Sequence, residues 1–212
     1  MSLKFYECES VECRGPQRKP CETHWKAPKK VLRYLKGTIN CGLMYNDEFD
    51  VQLAGFSDSD WTGNPDDRRS TTGYAFNLGY GVVSWSSKKQ PTVSLISSTK
   101  FEYKAMSSAT CEAIWLRRIL EDVGAKQEEP TILHCDNQSA IKLEHNPVYH
   151  SRLKHIEPQH HFVREKIESK EIDLTYCNTT NNVADIFTKP IGYIQIEIFK
   201  KKLGVVENAF LH

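Results

Sequence analysis

The chain has no run of 18 or more apolar residues, which excludes a membrane-spanning helix. Its first residues, Met1 to Cys8, lack the apolar stretch of a secretory signal. An intracellular protein, cytoplasmic or nuclear and not secreted, is the expectation. Internal repeats and low-complexity segments are missing too. Charge of one sign is also lacking: 28 basic residues face 27 acidic ones, for a net charge of +1. The total therefore excludes no class of partner. Arg14, Arg18, Lys19, Lys26, Lys29, Lys30, Arg33 and Lys36 crowd one segment against a single acid, Glu22. Such a segment reads as a solvated helix face or as a phosphate contact. The seven cysteines are an odd count and imply no disulfide framework. Cys8, Cys13, Cys21 and His24 lack the short C-x2-C hook of structural zinc, so no zinc is expected there.

What is present is ordinary globular material. The 212 residues are 39% hydrophobic and 10% aromatic, enough for one core plus a small appendage. Residues 1–21 show no period. Trp25, Val31, Leu32 and Leu35 recur at helical spacing, and Pro28 confines the helix start to about Ala27. Strands are expected at 52–60, 72–78 and 80–86, joined by short turns into an antiparallel meander. Phe101, Ala105, Ala109, Ala113, Leu116 and Leu120 mark a long helix that Gly124 stops. A strand at 131–135 and helices at 137–143 and about 155–167 follow. A strand at 172–176 and a short helix at 183–189 complete the order. Three strands in sequence, then strands interleaved with helices, predict an α/β fold. It is a mixed five-stranded sheet with helices on both faces.

Four acids stand on apolar elements. Asp58 lies within the first sheet strand, Glu102 one turn into the long helix, Asp136 at the end of a strand and Asp185 in the last short helix. Strand ends are where sites gather in α/β sheets. Four converging carboxylates repel and need a counter-charge, and hard oxygen donors select Mg²⁺ or Mn²⁺ over Zn²⁺. Two such ions about 3.5–4 Å apart form a clamp for in-line displacement at phosphorus. Strand alternation puts Asp58 and Asp60 on one face and does not separate them.

These segments carry a family resemblance. Glu22 to Ala27 with Val31 to Thr38 resembles the close of a reverse transcriptase region. Ser57-Asp58-Ser59-Asp60-Trp61-Thr62-Gly63, Asp67 to Tyr74 and Ser84 to Gln90 resemble the start of a ribonuclease H domain. His134 to Ala140 and Asn182 to Pro190 resemble its later motifs. Over residues 22–206 the sequence resembles the C-terminal part of the polyprotein of copia-type LTR retrotransposons. The resemblance implies the ribonuclease H-like fold and hydrolysis of the RNA strand of an RNA·DNA hybrid by a two-Mg²⁺ mechanism. It assigns Asp58 (rather than Asp60), Glu102, Asp136 and Asp185 as catalytic metal ligands. Arg68, Arg69, Ser98, Thr99, Asn137 and Gln138 are the expected nucleic-acid contacts, with helix capping and surface charge as their ordinary alternatives.

The implied organisation is an unassigned segment 1–21 and a remnant of the reverse transcriptase connection at 22–50. A ribonuclease H-like domain at 51–190 and a tail at 191–212 follow. The implied partners are a hybrid and a reverse transcriptase domain absent from this chain; a monomer with no membrane partner is expected. Lys100-Phe101 before Glu102, an extra residue before that helix, Leu153 and Pro158 depart from the family pattern. They motivate the alternative: an impaired relic that keeps the fold and binds nucleic acid weakly. The loop before Asp185 has no His, and His160-His161 is expected to be surface or partly packed.

Overall fold

A computed structural model describes residues 22–45, 52–60, 70–90, 98–145 and 157–207. A helix α1 (Glu22–Gly37) leads to a short strand β1 (Cys41–Leu43). The meander β2 (Leu53–Asp60), β3 (Thr71–Leu78) and β4 (Gly81–Lys89) precedes the long helix α2 (Ser98–Asp122). Then come β5 (Thr131–Cys135), α3 (Gln138–His145), α4 (Glu157–Glu168) and β6 (Ile172–Tyr176). The chain closes with α5 (Asp185–Thr188), α6 (Tyr193–Lys202) and β7 (Val205–Glu207).

The main sheet runs β4-β3-β2-β5-β6. β2, β3 and β4 pair antiparallel, and β5 and β6 join in parallel on the other side of β2. This is the mixed five-stranded sheet expected from the order of elements. Its central strand β2 is covered on both faces, as in other sheets with parallel pairing.

Each face has its own core. On one, α2 buries Met106, Ala109, Ala113, Leu116 and Leu120 at helical spacing against Phe76, Leu133 and Val163. On the other, Val183, Ile186, Phe187, Phe199 and Leu203 from the C-terminal segment cover Ala75 and Val82. Ala75 and Phe76 are successive residues, so strand alternation sends one to each core. Gly124 ends α2 with φ +82°, and Ala125 N–H donates to Leu120 O at 2.7 Å, a helix stop that suits glycine.

Some boundaries differ from the sequence expectation. α1 starts at Glu22 and carries Pro28 inside rather than in its first turn. A proline there removes one backbone hydrogen bond without forbidding helical φ. Its apolar stripe is not buried: Trp25 and Leu32 are each 64% exposed. Residues 193–202 form a helix, and β7 pairs antiparallel with β1, Cys41 opposite Glu207. Met44 N–H donates to Gly204 O at 2.9 Å and the Tyr45 hydroxyl to Val82 O at 2.7 Å, so residues 41–45 are sewn to the main body. His160 is buried and packs on Tyr103. Among the described residues, no helix is long and apolar enough to cross a membrane.

Candidate active site

β2 brings Asp58 to the C-terminal core face, where it is 2% exposed. Its register partner on β3 is Gly73. A Cβ at Gly73 would meet the Thr188 methyl at 2.8 Å and Phe187 Cβ at 3.0 Å. The missing side chain therefore lets α5 lie directly on the sheet. Asn182 fixes that approach: its Nδ2 donates to Ser57 O at 3.0 Å, and its Oδ1 accepts from Ala184 N–H. Both contacts are buried, where an unmade hydrogen bond is costly. Ser87 Oγ adds a tie from β4 by donating to Phe187 O at 2.6 Å.

The result is a convergence of acids. One carboxylate oxygen each from Asp58, Asp136 and Asp185 lies within 4.8 Å of the others. Glu102 and Cys135 form a second such group with Asp136. All four acids singled out in the sequence therefore meet at the end of β2 and β5. Thr188 Oγ1 donates to Asp58, and Thr179 Oγ1 donates to Asp136 Oδ2 at 2.9 Å. Lys189 Nζ stands 2.9 Å from Asp185 Oδ1 and 3.7 Å from Asp58 Oδ1.

The electrostatics follow from burial and crowding. Burial, then Asp58 and Asp136, push the Glu102 carboxyl up to about 8. Burial and the Asp58 charge push Asp185 up to about 7. Burial also raises Asp58, against the pull of Lys189 and Thr188. Burial opposes the charge on Lys189, but Asp58 and Asp185 outweigh it and hold the pKa above the ordinary lysine value.

The donor set fits a hard divalent cation. Glu102 Oε2 is buried with no hydrogen-bond partner, the kind of orphaned oxygen a cation would satisfy. Burial drives the Cys135 thiol up to about 12, and a hard cation prefers the carboxylate oxygens to its soft sulfur.

The other expected contacts divide. Asn137 Oδ1 accepts from Ala140 N–H at 3.0 Å and caps α3. Gln138 is exposed beside it. Arg68, Arg69 and the side chains of Ser98, Thr99, Lys100 and Pro158 lie outside the described residues, as do Leu153 and the cysteines at 8, 13 and 21. Lys189, Thr188 and Thr179 carry polar contacts that residue type alone did not single out. The one available signal was the spacing of Lys189, one helical turn after Asp185.

No protein-family model matches the chain. Two relatives decide its kinship. It is 39% identical over 188 residues to the retrovirus-related Pol polyprotein from transposon RE2 of Arabidopsis thaliana, covering 89% of this chain and 13% of that protein. It is 39% identical over 189 residues to the Pol polyprotein from transposon TNT 1-94 of Nicotiana tabacum, covering 89% and 14%. The chain is a relative of copia-type transposon Pol polyproteins. It spans about one eighth of the length of these Pol relatives. A 97-residue stretch is 56% identical to the Secreted RxLR effector protein 161 of Plasmopara viticola, covering 46% of this chain and 68% of that protein. Among solved structures, LC11-RNase H1 in complex with RNA/DNA hybrid aligns with a TM-score of 0.48 at 11% identity, covering 65% of this chain and 94% of that one. The foamy viral protease-reverse transcriptase in complex with dsDNA aligns with a TM-score of 0.41 at 14% identity, covering 76% and 30%.

Proposed function

We propose that this Pol relative is a ribonuclease H that hydrolyses the RNA strand of RNA·DNA hybrids. Asp58, Glu102, Asp136 and Asp185 hold two Mg²⁺ ions, with Mn²⁺ as a substitute. The observation that carries this reading is the convergence of the four carboxylates, three of them with oxygens within 4.8 Å of one another. Divalent ions, when bound, supply an activated water and a clamp on the leaving 3′ oxygen. The protein's own part is to present oxygens already aimed. Thr188 and Thr179 hold Asp58 and Asp136 by donating hydrogen bonds, the kind of support that fixes a ligand's orientation. Asn182 locks the α5 turn that carries Asp185 onto β2. Arg68, Arg69, Ser98, Thr99 and Gln138 are proposed to meet the hybrid backbone and its 2′-hydroxyls.

We take the working unit to include the C-terminal helix and strand, because Phe199 and Leu203 are buried in the core under the active-site face. A reverse transcriptase region is the proposed neighbour of α1.

The test is cleavage of an end-labelled hybrid with Mg²⁺ and with chelator. RNA-strand products that need the metal and vanish in Asp136→Asn support the reading. A folded protein that leaves the hybrid intact at every Mg²⁺ and Mn²⁺ concentration overturns it and leaves a relic with the fold alone.

A further inference from the structure

Lys189 lies inside the acidic cluster rather than beside it. Its Nζ sits between Asp185 Oδ1 at 2.9 Å and Asp58 Oδ1 at 3.7 Å. Those two side chains are 6% and 2% exposed, whereas the lysine is 28% exposed. The backbone sets this position: Lys189 N–H donates to Asp185 O at 3.1 Å, ending α5 and turning the side chain back over the helix. Asp58 Oδ2 accepts the Thr188 hydroxyl, and Oδ1 is the oxygen that Lys189 faces.

We propose that Lys189 is the resident cation of this site. In metal-free protein its ammonium neutralises the Asp58–Asp185 edge, and it yields that edge to an arriving divalent ion. The proposal rests on the reading of these acids as metal ligands. Two features make the lysine exchangeable rather than a fixed brace. A lysine offers a point charge on a flexible stem, without the planar fork that ties arginine to a carboxylate. The side chain also keeps a solvent-facing share, so it has somewhere to go. Metal uptake at this edge is then an exchange of one cation for another, and the acids bind Mg²⁺ less tightly than they would alone. Lys189 is thus a positioning residue.

The experiment compares wild type, Lys189→Met and Lys189→Arg by calorimetric Mg²⁺ titration and by thermal unfolding in chelator. In chelator, Lys189→Met is expected to melt roughly 4 °C lower, the scale of about 1 to 2 kcal/mol in a chain of this size. With Mg²⁺ it is expected to bind roughly tenfold more tightly, since a charge repelling the ion has gone. Lys189→Arg keeps the charge and is expected to melt near wild type in chelator. A merely structural lysine, once removed, would not improve metal binding. A Lys189→Met protein that binds Mg²⁺ no more tightly than wild type overturns the exchange, whatever its melting point. If that variant does not fold, Lys189→Gln carries the same comparison. Wild-type protein that takes up no Mg²⁺ or Mn²⁺ overturns the metal reading itself, and the exchange with it.

Discussion

Glu102 and Asp185 each make the stability of the metal-free protein depend on pH. Their folded-state pKa values, about 8 and about 7, lie above those of the free carboxyls. Between the two states, the folded protein therefore binds more protons than the unfolded chain, and stability falls as pH rises. The contribution is whole below pH 4 and is lost as pH climbs through 7 to 8. Thermal melts in chelator are expected to move down steadily from pH 5 to pH 8.5, and Glu102→Gln is expected to flatten the upper part of that slope. Mg²⁺ favours the ionised acids, so its stabilising shift is expected to grow over the same range. Asp136→Asn is expected to cut hybrid cleavage by ~100-fold or more, beyond the roughly 10–100-fold lost when only an indirect support of a metal ligand goes. It should leave the melting point in chelator equal or higher, because one source of repulsion is removed. The acids themselves were legible as residues because charge on an apolar strand or helix is costly without a purpose. Lys189 was not, because an acid and a lysine one turn apart are commonplace on solvated helices. Only the burial of Asp58 and Asp185 distinguishes this pair.

At the scale of elements, the site depends on how closely α5 approaches β3. Gly73 makes that approach possible, with Thr188, Phe187 and the Ser86 carbonyl all crowding its Cβ position. Gly73→Ala is expected to cost about 1–3 kcal/mol in urea unfolding, the usual scale of overpacking. It should also weaken the Mg²⁺-dependent thermal shift, since α5 carries both Asp185 and the Thr188 that holds Asp58. The meander, α2 and β6 were legible because their periods are long or clean. β6 matches the expected 172–176 in full. α6 was hidden by its own composition. Ile194, Ile196 and Ile198 alternate as in a strand, while the burial that matters falls on Phe199 and Leu203 one turn apart. β1 and β7 are three residues each, too short for any period to show.

The whole molecule is two cores sharing one sheet, and the C-terminal one is built largely from the last quarter of the described chain. Phe199→Ala is expected to destabilise by about 3–5 kcal/mol, the cost of emptying a fully buried aromatic position. Denaturant titration followed by the tryptophan signal measures it. The same loss should appear as reduced metal response, because α5 and α6 bury side chains in the same core. Such long-range closure was not legible, since the pairing of Cys41 with Glu207 leaves no local mark on either segment.

That pairing bears on transplantation. Residues 41–207 begin on one strand and end on its immediate neighbour, so both leads emerge a single strand spacing apart, about 5 Å. Residues 41–207 are therefore expected to survive insertion into a surface loop of an unrelated carrier. The host would need to part by no more than the width of a hairpin, and melting of the chimaera at two separate temperatures would show the guest folding undisturbed.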